Sequence, residues 1–493
     1  VQSVNIRPLT YHDLSWFHEI RNDPETYKWL HTQRAIPWPE TVEWYKEEKP
    51  LFYVAMDGDT QEPFGYFRTH HVDSSEGSIE IGMDIDPSKR GQGLARPAYE
   101  EFLKFLRSRL YTKFTLEVLS NNKRAIQLYE KLGFVSVDTN PHPIPADPDC
   151  QSVSMIMSSA LRGVKVIPVY FGDRRKWPPG ERDSRHVYAL LEYVLEMEHT
   201  NDPGIPCDVI FVINETGEED KVSNPEWERK CYELLESQDG KELKNGRGVI
   251  EVRRRHNVGV SFASYDEVFN DRKKDYDVWF FCEDDQVIVE DNIFYDALLQ
   301  FRDLRDTVGF VGVVGLAGKP FPHFHGGCGM VTTSIAEEAV EHTVSAPFVS
   351  RMLRLIRMYG RKGRAEDFDK GVSNNFERTR EFLGRNFLPW YLPHGNRTGL
   401  AEGSGFCKEV EVLGEVAFSY VYSHMGYKLK VHPRKKYLIN WKNAHHKGER
   451  KHFLPATGRD GNIIEYALRN CHGEAQKHVP YEVWMDSAME GNT

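Results

Sequence analysis

Ser78-Ile79-Glu80-Ile81-Gly82-Met83-Asp84-Ile85 runs almost directly into Arg90-Gly91-Gln92-Gly93-Leu94-Ala95. A second segment follows: Asn122-Lys123-Arg124-Ala125-Ile126-Gln127-Leu128-Tyr129-Glu130-Lys131-Leu132-Gly133-Phe134. The alternation over 78–85 predicts a half-buried strand. A strand that stops at two glycines and enters a helix presents backbone N–H groups that no helical carbonyl takes. The helix dipole adds to their pull on an anion, so a diphosphate is held there without a cationic side chain. Glycine at 91 and 93 keeps side chains from standing between phosphate and backbone. Taken alone, a short glycine loop is equally the mark of a turn that caps a helix.

Together the two segments resemble the GNAT superfamily of acetyl-CoA-dependent N-acyltransferases. Its pyrophosphate motif, Gln or Arg-x-x-Gly-x-Gly or Ala, is met by Arg90, Gly93 and Ala95. Its later Asn-x-x-Ala-x-x-x-Tyr-x-x-x-Gly-Phe segment is met by Asn122, Ala125, Tyr129, Gly133 and Phe134. The resemblance runs from Val4 to Met157 and implies an α+β acetyltransferase domain over residues 1–161. It implies acetyl-CoA as cofactor, held by Arg90, Gly91, Gln92, Gly93, Leu94 and Ala95. Asn122 is expected on the pantetheine arm, with a helix cap as the alternative use of its side chain. Tyr129 is expected to protonate the departing thiolate, against the alternative of a core aromatic. Glu80 is expected to act as base, directly or through water, unless it is only a solvent-facing strand carboxylate.

At 493 residues the chain calls for two or three domains. Its 40% hydrophobic and 28% charged residues are those of a soluble globular protein. No run approaches the ~18 apolar residues of a membrane span, and no secretory leader is recognisable at the N-terminus. The net charge of -11 argues against general nucleic-acid binding. Arg253-Arg254-Arg255-His256 and Arg434-Lys435-Lys436 are local basic exceptions, read as solvated faces or as contacts to a phosphate-bearing substrate. Seven scattered cysteines without a C-x-x-C pair indicate neither a disulfide framework nor a cysteine zinc site, so a cytoplasmic location is expected.

Pro141, Pro143, Pro145 and Pro148 form a loop before the strand-like segment 152–157 that ends the first domain, and only Leu161-Arg162-Gly163 separates that strand from the next. So short a link predicts two domains in a fixed arrangement. Beyond it, 164–171, 207–213, 248–252 and 277–282 read as buried strands, and 183–199 as an amphipathic helix. Continuous apolar strands alternating with helices predict a Rossmann-like α/β domain with a mostly parallel sheet, over 164–475, before a tail at 476–493. Ligands of such sheets bind beyond the carboxyl ends of the strands.

One of those ends is Glu283-Asp284-Asp285, where carboxylates suit Mn2+ or Mg2+ bridging substrate phosphates, or simply a solvated turn. In sequence order, Ile167–Tyr170, Val209–Asn214, Asn257-Val258-Gly259 and Trp279–Asp285 resemble a GT-A glycosyltransferase of the large inverting family. That resemblance implies a UDP- or GDP-sugar donor, with Glu283 and Asp285 as metal ligands and His445 completing the site. It further implies Asp173, Asn214, Asn257 and Asp284 as substrate contacts, and Glu415 as base, with Glu402, Glu409 and Glu411 competing for that role. His323 and His325 suggest an acceptor loop, and residues 345–400 an acceptor-side insertion. The whole reads as a bifunctional transferase, N-acetyltransferase plus metal-dependent glycosyltransferase, acting on one amino sugar, glycan or glycoconjugate. The alternatives are a non-catalytic CoA- or partner-binding first domain, or a nucleotidyltransferase in the second. The oligomeric state is left open.

Overall fold

The computed structural model describes residues 3–30, 32–48, 50–137, 143–144, 147–171, 184–215, 222, 224–256, 260–284, 286–288, 291–305, 307–312, 315–316, 323–324, 328–342, 422, 427–432 and 438–440. The chain divides into two compact units, one of residues 1–160 with 302–305, the other of 161–301 with 306–493.

The first unit begins with β1 (Val4–Pro8), α1 (Leu14–Asn22), α2 (Pro24–Tyr27), α3 (Trp38–Glu48), β2 (Tyr53–Asp57) and β3 (Pro63–Asp73). There follow β4 (Ser78–Ile85), α4 (Ala95–Ser108), β5 (Lys113–Leu119), α5 (Lys123–Leu132), β6 (Val135–Val137), β7 (Pro143–Ile144) and β8 (Asp147–Ser158). They build an eight-stranded sheet in the order β1-β2-β3-β4-β5-β8-β6, with β7 on β8. The β4–β5 pairing is parallel and every other pairing in this sheet is antiparallel.

Alternation gives the sheet two unlike faces. Phe67, Ile79, Ile81, Phe114 and Leu116 join Tyr99, Phe102 and Leu106 of α4 in one buried cluster. The Phe67 and Phe102 rings stack at 4.1 Å between centroids. Helix α4 is driven there by its own spacing, since Ala98, Tyr99, Phe102, Leu103 and Leu106 recur at helical intervals and are all buried. On the other face Tyr66 meets Phe17 of α1 at 4.7 Å and Phe52 at 6.3 Å, in a second, smaller cluster.

The second unit contains β9 (Gly163–Val169), α6 (Ser184–Thr200), β10 (Cys207–Glu215), α7 (Pro225–Glu236), β11 (Ile250–His256), α8 (Val260–Arg272), β12 (Val278–Phe281), β13 (Gln286–Ile288) and α9 (Ile293–Phe301). It continues with β14 (Val308–Gly312), β15 (Gly315–Leu316), β16 (His323–Phe324), β17 (Gly329–Thr332), α10 (Thr333–His342), β18 (Lys428–Val431) and β19 (Leu438–Asn440). Its main sheet runs β11-β10-β9-β12-β17-β14-β18. The first four strands are mutually parallel, β17 is antiparallel to both neighbours, and β14 and β18 are parallel. Every residue of β9, β12 and β14 is buried, which requires cover on both faces. The mixed α/β architecture expected from the alternating segments is the one observed. Strand β11 starts at Ile250 and extends through His256, so the arginines 253–255 lie within a strand rather than beyond it.

Candidate active site

Strands β4 and β5 pair only at Ser78–Lys113, Ile79–Phe114 and Glu80–Thr115. Beyond those pairs β4 continues to Ile85 and β5 to Leu119, each held on its outer side alone. The two strands therefore leave an opening at their carboxyl ends. Helix α4 starts after β4 and α5 directly after β5, which brings two positive helix ends to that side of the sheet.

The loop from Arg90 to Ala95 owes its path to glycine. Gly91 and Gly93 have φ of +83° and +82°, a region that other residues enter at a cost. A Cβ at either position meets nothing within 4 Å, so backbone conformation, beyond the clearance expected from the sequence, calls for glycine there. Among the described residues no acceptor takes the N–H groups of Gly91, Gln92, Gly93, Leu94 or Ala95, and the first helical bond of this turn is Ala98 N–H to Leu94. No side chain caps α4, Leu94 is buried, and the stretch from Arg90 to Arg96 holds no acid. The donor set fits a diphosphate. Arg90 itself donates to the carbonyls of Ile85 and Glu25 at 3.0 and 2.8 Å and to Thr26 Oγ1 at 2.6 Å, so its guanidinium braces the loop. Gln92 donates to the Ser88 carbonyl at 3.3 Å.

A cavity of about 280 Å3 is lined by Glu80–Gly82 of β4, by Glu117–Leu119 of β5, and by Arg68 and His70 of β3. In register, Tyr66 faces Asp84, Arg68 faces Gly82 and His70 faces Glu80, so these six share one face of the sheet. Glu80 Oε2 pairs with His71 Nδ1 at 2.8 Å, and that hydrogen bond raises the imidazole pKa. Burial, then the Arg68 charge, lowers the pKa of His70. Arg68 Nε lies 2.9 Å from Asp84 Oδ2 in an ion pair whose atoms are not aligned as a hydrogen bond. Burial first, then the Asp84 charge, pushes the Tyr66 hydroxyl well above its ordinary range.

Tyr129 stands on the other side of the sheet, within the cluster around α4. Its hydroxyl accepts from Tyr99 Oη at 3.3 Å, and the two rings meet edge to face at 5.5 Å. Burial raises the Tyr129 pKa, opposed by the Tyr99 hydrogen bond and by the charge of Arg68. Tyr129 is thus a core aromatic with a hydroxyl that keeps its proton at neutral pH. Asn122 caps α5, its Oδ1 accepting from Ala125 N–H at 3.2 Å. Gly133 ends α5 at φ +96°. The sequence reading missed Arg68, Asp84 and the His70–His71 pair, whose relation to Glu80 depends on cross-strand register.

In the second unit Asn214, Glu283 and Asp284 are described and all are buried. Asn214 Oδ1 accepts from Arg255 Nη1 at 2.8 Å and from Ser264 Oγ at 3.1 Å, which ties β10 to β11 and α8. Asp284 follows β12 and accepts the Tyr170 N–H at 3.3 Å, at the carboxyl end of β9. Asp173, Asn257, Asp285, Glu402, Glu409, Glu411, Glu415 and His445 lie outside the described residues, as do His325 and 345–400. Among the described residues no group of three or more His, Cys, Asp or Glu side chains is arranged to hold a metal ion. No described helix is long and apolar enough to cross a membrane.

Residues 3–135 match the acetyltransferase (GNAT) domain family. A spermidine N(1)-acetyltransferase of Escherichia coli K12 is 28% identical over 139 residues, 27% of this chain and 73% of that protein. An uncharacterized protein of Methanocaldococcus jannaschii is 28% identical over 136 residues, and the match spans only 28% of its length. Among solved structures, a Vibrio cholerae spermidine N-acetyltransferase in complex with CoA and spermine is 21% identical. It covers 31% of this chain and 95% of its own, with a TM-score of 0.30. The family match puts a GNAT acetyltransferase domain in residues 3–135 of the first unit.

Proposed function

We propose that the first unit transfers an acetyl group from acetyl-CoA to the amine of a small molecule. The observation that carries this reading is the opening between β4 and β5, with acceptor-less N–H groups at the start of α4. The N–H groups of residues 91–95 would take the diphosphate, and the open edges of β4 and β5 would receive the arm that follows it. Bound there, acetyl-CoA supplies an activated acetyl thioester. Glu80, on the polar face, takes the proton that the amine nitrogen must lose. Tyr129, from the helix side, supplies one to the departing sulfur. An acid and a base on opposite sides of one opening suit a reaction that removes a proton on one side and delivers one on the other. Spermidine is the first amine to test, because a relative 28% identical is named for it.

Gly93→Glu tests the anion site. A carboxylate beside the N–H groups repels a diphosphate; its Cβ meets nothing within 4 Å, and the positive φ adds a local backbone cost. Calorimetry is expected to show acetyl-CoA binding to the wild type and its loss in the variant, with the circular dichroism spectrum kept. Equal affinity in both would overturn the site.

For the second unit we propose a nucleotide-sugar glycosyltransferase, using Mn2+ or Mg2+. The support is positional: Glu283 and Asp284 follow β12, and Asp284 accepts the Tyr170 N–H just past β9, in a mostly parallel sheet. Titration of the full chain with UDP- and GDP-sugars is expected to give binding with Mn2+ that is lost with chelator. Binding that ignores the chelator would refute the metal.

A further inference from the structure

Arg68 is a charged group of the cavity that the proposed reaction does not use. Arg68 belongs to β3, and in register it faces Gly82 of β4. Its guanidinium lies across that glycine, where a Cβ would stand 2.9 Å from Nη2, so the absence of a side chain at 82 lets the arginine lie on the sheet. Asp84, two residues along on the same face, holds it at 2.9 Å. The Arg68 side chain keeps 26% of its surface open, and it lines the cavity together with Glu80.

Two features make this more than a structural ion pair. Arg68 Nε is buried and no acceptor among the described residues is aligned with it, although a guanidinium carries five donors. Asp84 is also shared, since its charge acts on Arg21 as well as on Arg68. Arg21 is itself held by the Thr32 and Arg34 carbonyls at 3.0 and 3.4 Å, which are neutral. The forked donors of Arg68 match a carboxylate. Glu80 and Glu117 supply the opposite sign in the same cavity.

We infer that Arg68 binds an anionic group, a carboxylate, on the amine that is acetylated, so that the preferred acceptor is a zwitterionic amino acid. This rests on the acetyltransferase reading above. The ammonium end approaches Glu80, and the carboxylate end lies on Arg68. Arg68 touches substrate and sets specificity without taking part in proton transfer. An amine of purely cationic character would meet Arg68 with like charge.

The test uses the full chain and pairs of α-amino acids with their decarboxylated amines: lysine with cadaverine, ornithine with putrescine, phenylalanine with phenethylamine. Each is titrated calorimetrically and assayed for acetyl transfer. The acid of each pair is expected to bind at least about tenfold better than the amine, as for one charge-assisted, forked contact. Arg68→Lys keeps a cation beside Asp84 but loses the fork, and the ratio should fall toward one with the amine's own affinity kept. Arg68→Met combined with Asp84→Asn removes both charges, so an unfolded single variant does not decide the matter. The inference is overturned if the amines bind as well as the acids, if no amino acid binds, or if Arg68→Lys weakens both members of each pair equally. A tenfold preference in binding without acetyl transfer would refute the acetyltransferase reading and keep the anion site. Acetylation of amines without preference would do the reverse.

Discussion

Tyr129 packs in the core of the first unit, and its proposed role as acid rests on the hydroxyl it keeps there. It is 9% exposed, its ring meets Tyr99 and Phe134, and its hydroxyl accepts a hydrogen bond from Tyr99. Accepting from Tyr99 leaves its own hydrogen to be given elsewhere, and burial keeps that hydrogen in place at neutral pH. Tyr129→Phe retains the ring, so the fold and the affinity for acetyl-CoA are expected to persist. Losing a general acid lowers kcat by roughly 10²-fold or more; single-turnover acetyl transfer measures it, and unchanged turnover removes the assignment. The role of Asn122 was only half legible in the sequence. A polar residue before an apolar helical run signals a cap, and a cap it is, while nothing in its neighbours says what its amide nitrogen does. Arg68 and Asp84 were not legible. Sixteen positions separate them in sequence, and only the antiparallel register of β3 on β4 sets them on one face.

At the scale of elements, apolar runs announced β4 of the first unit and β9 to β12 of the second, because each strand buries what it alternates or repeats. They did not announce the lysine inside β9. Lys165 sits between Val164 and Val166 in a strand that is buried throughout, and Glu198 of α6 meets its Nζ at 2.5 Å. Both side chains are only 3% exposed. The pair fixes α6 against β9, since each charge is costly in that interior without the other. Glu198→Gln leaves the ammonium buried with a neutral partner and is expected to destabilise the second unit by about 3 kcal/mol or more. Replacing both residues by Met removes the unpaired charge and should recover most of that loss, with equilibrium denaturation of the full chain reading both. A double variant no more stable than Glu198→Gln would show that the pair does more than balance charge. The pattern of the strand hides this pair, because one polar residue in a run of seven reads as tolerance.

For the molecule as a whole, legibility stopped where short motifs stopped. The glycine loop and the Asn122–Phe134 segment fall within or end at the boundary of residues 3–135, which match one family. Beyond them the second unit offered strand order and an acidic tip, and both are general properties of parallel sheets. The eight-stranded sheet of the first unit adds a consequence of its own. Strands β3 and β4 share seven residue pairs and β5 and β8 share seven, whereas β4 and β5 share three. The sheet is thus two well-stitched panels meeting at a short seam, and the seam is its mechanical weak point. Thermal breathing should separate the panels there before either panel frays internally. A molecule lodged in the opening would act as extra stitching, and one that binds the closed seam more tightly than the parted one stiffens the sheet by that difference.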